Sequence, residues 1–318
     1  MKLTSAPTLD DIQAAHEMIR PYIEYTPLLQ SSQLNSISGS KLFFKCENFQ
    51  KAGAFKSRGA THALLQLDKN QLKNGVVTHS SGNHAQALAR AAAILGHKAY
   101  IVMPENAPSV KVAAVKQYGG LITFCKPTLQ AREETTESIV KQTGATVVHP
   151  YNDYDIIAGQ ATACLEMLKQ GPLPDYILCP VGGGGLLSGT LLSAHYQSPH
   201  TKVIACEPEG ANDTWKSIKT GSLVPSINPQ TIADGLLTSL GSLTYPIIKQ
   251  YVNEVITVSD EAIIQAMRLV WERMKIIIEP SSAVPVAVAL SAPEYLKNKT
   301  VGIVISGGNI DLTKIPWL

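Results

Sequence analysis

The sequence holds five cysteines in 318 residues and no CxxC pair. Cys46, Cys125, Cys164, Cys179 and Cys206 stand far apart, and four of them fall in apolar runs. This pattern predicts buried free thiols in a reducing cytoplasm. No stretch of eighteen or more apolar residues is present, which excludes a membrane-spanning helix of ordinary length. The start, MKLTSAPTLDD, lacks an apolar core, so no secretory leader is expected. Neither sign of charge dominates: the net charge is +2, with 16% charged residues. An electrostatic footprint for nucleic acid is therefore missing. Internal repeats, low-complexity segments and linker-like stretches are missing as well. So is a GxGxxG turn, because positions 182–187 read GGGGLL. Together with the lack of an acidic residue closing the second strand, this argues against a nicotinamide-dependent dehydrogenase.

What is present is a long alternation of strand and helix patterns. At 318 residues and 45% hydrophobic content, the chain is expected to form two domains or one large α/β domain. A helix is expected over 8–22 and a strand over 42–46. Strands at 76–79, 99–103, 121–125 and 146–148 alternate with helices at 83–95, 110–118 and 131–142. A second series has a helix over 154–170, strands at 176–181, 203–206, 255–258 and 301–305, and helices from about 186 and after Ser259-Asp260. Apolar strands interleaved with helices predict parallel sheets covered on both faces. Segment 221–246, rich in Gly, Pro, Ser and Thr, reads as a long ordered loop.

Four stretches carry chemistry. Lys56 follows Phe55 and opens a helical pattern with Arg58, Gly59 and Ala60. A lysine at a helix mouth among apolar neighbours is expected to have a lowered pKa, and its neutral amine can attack a carbonyl to form a Schiff base. Gly182-Gly183-Gly184-Gly185 follow a strand and open a helix. Ordering four glycines costs entropy, and their N–H groups can converge on an anion, so one phosphate is the expected occupant. Ser80-Ser81-Gly82-Asn83-His84, again between strand and helix, suits a carboxylate, although a decorated N-cap would look the same. Ser306, in Ser306-Gly307-Gly308-Asn309 at the end of the last strand, can meet a ring nitrogen. A lysine for an aldehyde, a phosphate cradle, a hydroxyl for a ring nitrogen and a polar substrate loop add up to a pyridoxal phosphate site.

The motifs FQKAGAFKSRGA, THSSGNHAQALA, PVGGGGLLSG, TIADG, IEPSSA and ISGGNIDL run from residue 49 to 312. In these the chain resembles the β-family (fold type II) pyridoxal-phosphate enzymes, in the serine racemase and serine/threonine dehydratase branch. SSGNHA separates it from the cysteine synthase branch, whose loop usually reads TSGNTG. The resemblance implies an α/β fold of two parallel-sheet domains. The large one is expected over 1–70 and 153–318, with a small mobile one inserted over 71–152. It implies that Lys56 carries the cofactor and acts as base on one face of the substrate Cα, with Ser81 the base on the other. Gly182 to Gly185 would bind the phosphate, Asn83 the ring hydroxyl and Ser306 the ring nitrogen. Ser80, Ser81, Asn83 and His84 would hold the substrate carboxylate, with Arg132 reaching toward the substrate. A serine at the ring nitrogen, in place of an aspartate, should leave that nitrogen unprotonated.

The resemblance further implies a divalent cation, Mg²⁺ or else Ca²⁺ or Mn²⁺, on Glu207, the Ala211 carbonyl and Asp213. It also implies an ATP-type effector site drawing on Lys51, Gln86, Lys111, Tyr118, Lys275 and Asn309, and a homodimer. One departure is visible: His149-Pro150-Tyr151-Asn152 does not clearly place the asparagine that animal racemases carry near the cofactor. Serine racemisation and dehydration are the expected activities. Threonine and L-threo-3-hydroxyaspartate dehydration are the alternatives, the latter if Arg132 takes a second carboxylate. A silent cofactor-carrying or nucleotide-sensing protein is the non-enzyme rival. No regulatory domain is expected after residue 318.

Overall fold

Ten strands form two sheets in the computed structural model, which describes residues 2–80, 82–291 and 293–317. The strands are β1 (Leu28–Leu29), β2 (Lys41–Cys46), β3 (Val76–His79), β4 (Ala99–Pro104), β5 (Leu121–Cys125), β6 (Thr146–Val147), β7 (Tyr176–Pro180), β8 (Lys202–Pro208), β9 (Glu254–Val258) and β10 (Thr300–Ile305). The larger sheet runs β1-β2-β10-β7-β8-β9 and the smaller β5-β4-β3-β6. Every pairing is parallel except β1 with β2. The smaller sheet falls in sequence between β2 and β7, and the last strand β10 returns to lie between them. The fold is thus α/β with two parallel-sheet regions. The central strands of the larger sheet are buried almost throughout, which is why they read as unbroken apolar runs.

The helix Lys56–Gln66 is fixed by its contact with the helix Tyr154–Gln170. The two backbones touch at a pair of glycines: a Cβ on Gly159 would lie 2.6 Å from the Gly59 Cα. Beside that contact is a fully buried charge cluster. Arg58 meets Glu47 at 2.7 and 2.8 Å and Glu166 twice at 2.8 Å. Lys45 adds 2.6 Å to Glu166 and 2.8 Å to the Thr26 carbonyl. Two acids balance two bases. A buried ion stripped of its partner costs about 3–5 kcal/mol, so the cluster is stable only when complete. Completing it requires the first turn of the Lys56 helix, the end of β2 and the Tyr154 helix to meet in one arrangement.

The structure adds elements that the sequence patterns did not reveal. The helix Pro280–Leu290 is buried along almost its whole length, so its sequence PSSAVPVAVAL has no polar stripe to betray a helical period. Helices Ser32–Ser38 and Asp213–Thr220 also appear, and Thr244–Tyr251 begins inside the segment read as loop. The rest of that loop is pinned by specific bonds. Ile232 N donates to Asp260 at 3.0 Å, Gly235 N to Ser281 Oγ at 3.0 Å, and Leu243 N to Asn152 Oδ1 at 2.8 Å. All five cysteines are free and buried. Among the described residues no helix is long and apolar enough to cross a membrane.

Candidate active site

One pocket gathers residues from both sheets: Lys56, Ser80, Gly82, Asn83, His84, the glycine loop and Ser306 all line it. The lysine end is built by a cross-tie. Ala54 bridges Gly307, Phe55 N donates to the Ser306 carbonyl at 3.0 Å, and Gly308 N donates to Gly53 O at 2.9 Å. The start of the Lys56 helix is thereby laid along the end of β10, and Lys56 and Ser306 share one locus. Lys56 Nζ donates to the Pro150 carbonyl at 2.8 Å. Lys56 is half-buried, and desolvation lowers the pKa of its amine to about 8 against the pull of Glu279.

The glycine loop runs from the end of β7 into the helix Gly185–Gln197, with Gly184 at φ 88°. Side chains are excluded along it. A Cβ would lie 3.0 Å from the Leu236 Cα at Gly182, 2.4 Å from the Tyr151 ring at Gly183, and 2.8 Å from Thr244 at Gly184. What remains is bare backbone at a helix N-terminus, a cradle for an anion.

Ser80, Gly82, Asn83 and His84 line the pocket from the end of β3 and the start of the helix Asn83–Ile94. Ser81 lies outside the described residues. Asn83 is oriented from both sides: its Nδ2 donates to Glu279 at 2.8 Å, and its Oδ1 accepts from Asn309 at 2.9 Å. One Nδ2 hydrogen is left for a ligand. Burial, reinforced by Lys56, holds His84 neutral, well below the usual imidazole range. Ser306 is buried, its hydroxyl 3.0 Å from that of Ser282. Arg132 also lines the pocket, and its Nε is buried without a hydrogen-bond partner among the described residues. A buried, unpaired guanidinium N–H calls for an anion.

Pocket residues that sequence reasoning passed over include His79, Tyr151, Asp234, Thr238 and Glu279. Asp234 and Glu279 stand in the quoted motifs TIADG and IEPSSA, but nothing local marked them as pocket acids. Burial pushes Glu279 up to about 7, with Lys111 opposing. Lys111, grouped by resemblance with an effector site, lines this pocket and ion-pairs with Asp234. Of the other residues in that group, Asn309 is joined to Asn83 and the Ala52 carbonyl. Gln86 is buried and Tyr118 half-buried. Lys51 pairs with Glu24, and Lys275 donates to the Glu272 carbonyl at 2.7 Å.

The carboxylates assigned to a cation lie apart from the pocket lining. Glu207 caps the helix Asp213–Thr220, accepting Thr214 N and Trp215 N at 2.8 Å each. Asp213 Oδ2 accepts Leu240 N at 3.4 Å. Burial pushes Glu207 up to about 7 and Asp213 to about 6, and the charge on Asp213 adds to the shift on Glu207. No group of three His, Cys, Asp or Glu converges here among the described residues. The donors on offer to a cation would be two carboxylates and, with Ala211 buried between them in sequence, its carbonyl. Two desolvated carboxylates, the charge of one raising the other, are chemically suited to a hard cation.

The pocket residues fit pyridoxal phosphate by the same kind of test. Neighbouring protein leaves no room for a Cβ along the glycine loop, the pKa of the lysine amine is lowered, and the buried Ser306 hydroxyl lines the same pocket. Comparisons agree. A family model described as pyridoxal-phosphate dependent enzyme matches residues 19–307. A beta-hydroxyaspartate dehydratase of Paracoccus denitrificans is 49% identical over 311 residues, 98% of this chain and 99% of its own length. A serine racemase of Dictyostelium discoideum is 51% identical over 312 residues, covering 97% of this chain and 96% of that one. The structure of maize serine racemase superposes with a TM-score of 0.94 at 44% identity, over 97% of this chain and 95% of that one.

The amine itself can be tested without cofactor. Because burial disfavours the ammonium form, the reactive free amine grows as pH rises through about 8. An ordinary lysine reaches that point only near ~10.4. Reductive methylation of cofactor-free protein, followed by peptide mass spectrometry, should show Lys56 half-reactive near pH 8. A profile matching the surface lysines would contradict the desolvated site.

Proposed function

The chain belongs to the pyridoxal-phosphate dependent enzymes, and within them we propose that it racemises serine and dehydrates L-serine to pyruvate and ammonia. The observation that carries this reading is that one pocket is lined by Lys56, by Ser80, Gly82, Asn83 and His84, by the glycine cradle and by Ser306. The chemistry that pyridoxal phosphate supplies when bound is an electron sink that acidifies the substrate Cα–H. Gly182 to Gly185 hold its phosphate, Ser306 meets the ring nitrogen through a neutral hydroxyl, and the spare Asn83 Nδ2 hydrogen meets the ring hydroxyl. Ser80, Ser81, His84 and the backbone N–H of Asn83 hold the substrate carboxylate at the helix start.

The Lys56 amine takes the Cα proton from one face, and Ser81 exchanges a proton on the other. Two opposed bases are what racemisation requires. Dehydration needs only Lys56 and a proton delivered to the leaving hydroxyl, which departs as water. The released 2-aminoacrylate then hydrolyses to the 2-oxo acid and ammonia.

Segment 71–152 acts as the small domain, closing on a large one made of 1–70 and 153–318. A divalent cation, Mg²⁺ first and Ca²⁺ or Mn²⁺ otherwise, sits on Glu207, the Ala211 carbonyl and Asp213. ATP acts as effector through Lys51, Gln86, Lys111, Tyr118, Lys275 and Asn309. The working form is a cytoplasmic homodimer, in keeping with the free buried thiols. Retention of Lys56 and Ser306 in a built pocket argues against the silent-protein reading.

Arg132 favours a second substrate. Its unpartnered Nε is suited to the β-carboxylate of L-threo-3-hydroxyaspartate, which serine lacks. A charge-assisted hydrogen bond is worth about 1.5–3 kcal/mol, roughly ten- to a hundredfold. Arg132→Met should therefore lower kcat/KM for hydroxyaspartate by that factor while sparing serine; equal losses on both would remove the clamp. Ser81→Ala should abolish racemisation and leave dehydration of one enantiomer, so survival of both reactions would sink the two-base scheme. Titrating Mg²⁺ against the Glu207→Ala/Asp213→Ala double variant should show no activation. Chelator sensitivity equal to that of the unaltered protein would place the cation elsewhere.

A further inference from the structure

The segment His149-Pro150-Tyr151-Asn152, where the chain departs from the racemase pattern, forms a wall of the pocket through Tyr151. The tyrosine lies along the glycine loop. Its Cβ is 3.1 Å from where a side chain on Gly185 would begin, and its ring carbons come within 2.4 Å of the same point on Gly183. Those two glycines are bare because Tyr151 occupies their side-chain space. At the far end its hydroxyl comes within electrostatic reach of the Thr238 side chain, which also lines the pocket. Thr238 Oγ1 in turn sits 3.4 Å from the Cβ position of Gly182. The phenol thus spans the cradle from Gly185 to Gly182.

The tyrosine is rigidly held. His149 Nδ1 accepts the N–H groups of Tyr151 at 3.2 Å and Asn152 at 2.8 Å, and its ring meets the Tyr151 ring edge-on at 4.7 Å. Asn152, to which no ligand role was assigned, binds Ser242 Oγ at 3.1 Å and Leu243 N at 2.8 Å, so it anchors the wall from behind. The Pro150 carbonyl just before Tyr151 is the acceptor for Lys56 Nζ. One tetrapeptide therefore touches the lysine end and the phosphate end of the pocket together.

We propose that Tyr151 closes the phosphate cradle: its phenol accepts a hydrogen bond from Thr238 and donates one to a phosphate ester seated on Gly182 to Gly185. The glycine loop alone offers only backbone donors. Of the pocket cations, Lys56 is committed to the Pro150 carbonyl, Lys111 to Asp234, and Arg132 is the one assigned to a substrate carboxylate, so a neutral side-chain donor fills the remaining need. Burial raises the phenol pKa, with the charges of Asp213 and Glu133 adding to it, and keeps the hydroxyl a donor at neutral pH.

This inference rests on the pyridoxal phosphate assignment, and the test separates the two. Tyr151→Phe keeps the ring that packs on Gly183 and deletes only the donor. Cofactor-free protein is titrated with pyridoxal phosphate to obtain Kd from the visible absorbance, and ³¹P NMR reads the bound phosphate. Tyr151→Phe should raise Kd by roughly tenfold or more and shift the ³¹P resonance. Thr238→Val should change both in the same direction by less. A wild-type Kd with an unmoved ³¹P resonance in Tyr151→Phe would overturn the proposal. Failure of the unaltered protein to take up pyridoxal phosphate would overturn the cofactor assignment and this inference together.

Discussion

The hydrogen bond from Lys56 Nζ to the Pro150 carbonyl joins the two halves of the molecule at its reactive atom. The lysine opens a helix whose start is tied to the end of β10 in the larger sheet. The carbonyl follows β6 of the smaller one. A carbonyl can orient an amine without adding a negative charge, so it does not reverse the desolvation that favours the neutral form. A carboxylate in that place would have held the lysine charged. The acid that does act on Lys56, Glu279, spends one oxygen on Asn83 and is itself pushed toward neutrality by burial.

Everything that fixes the lysine lies behind it. Gly59 and Gly159 let two helices approach backbone to backbone, and the Arg58 cluster locks their register. Each arm of that cluster would be costly if left unpaired, so the arrangement tolerates little drift. The ties from Gly53, Ala54 and Phe55 to β10 then carry the same rigidity to Ser306. In this way a pocket that must hold a flat ring at both edges is set by interactions that never enter it.

Much of this was legible in the sequence, for identifiable reasons. Strands buried on both faces announce themselves as apolar runs, so the sheet core around β7, β8 and β10 could be read directly. Gly182 to Gly185 could be read because bare backbone after a strand has few other uses. Helix Pro280–Leu290 could not, since a helix buried all round shows no periodicity. Tyr151, Asp234 and Glu279 were hidden for another reason. Their roles come from chain segments far apart in sequence meeting in space, and a tyrosine that fills the side-chain space of a glycine more than thirty residues away leaves no local trace. Lys111, which the resemblance groups with an effector site, also ion-pairs with Asp234 on the pocket wall, a contact between residues more than a hundred positions apart that no local pattern marks.

The central claim is that Lys56 is the residue that carries pyridoxal phosphate. Borohydride reduction of the cofactor-loaded protein, followed by digestion and mass spectrometry, tests it in one step. The account predicts a single pyridoxyl adduct on the peptide containing Lys56, lost in Lys56→Ala. An adduct on another lysine, or none on freshly loaded protein, would contradict it.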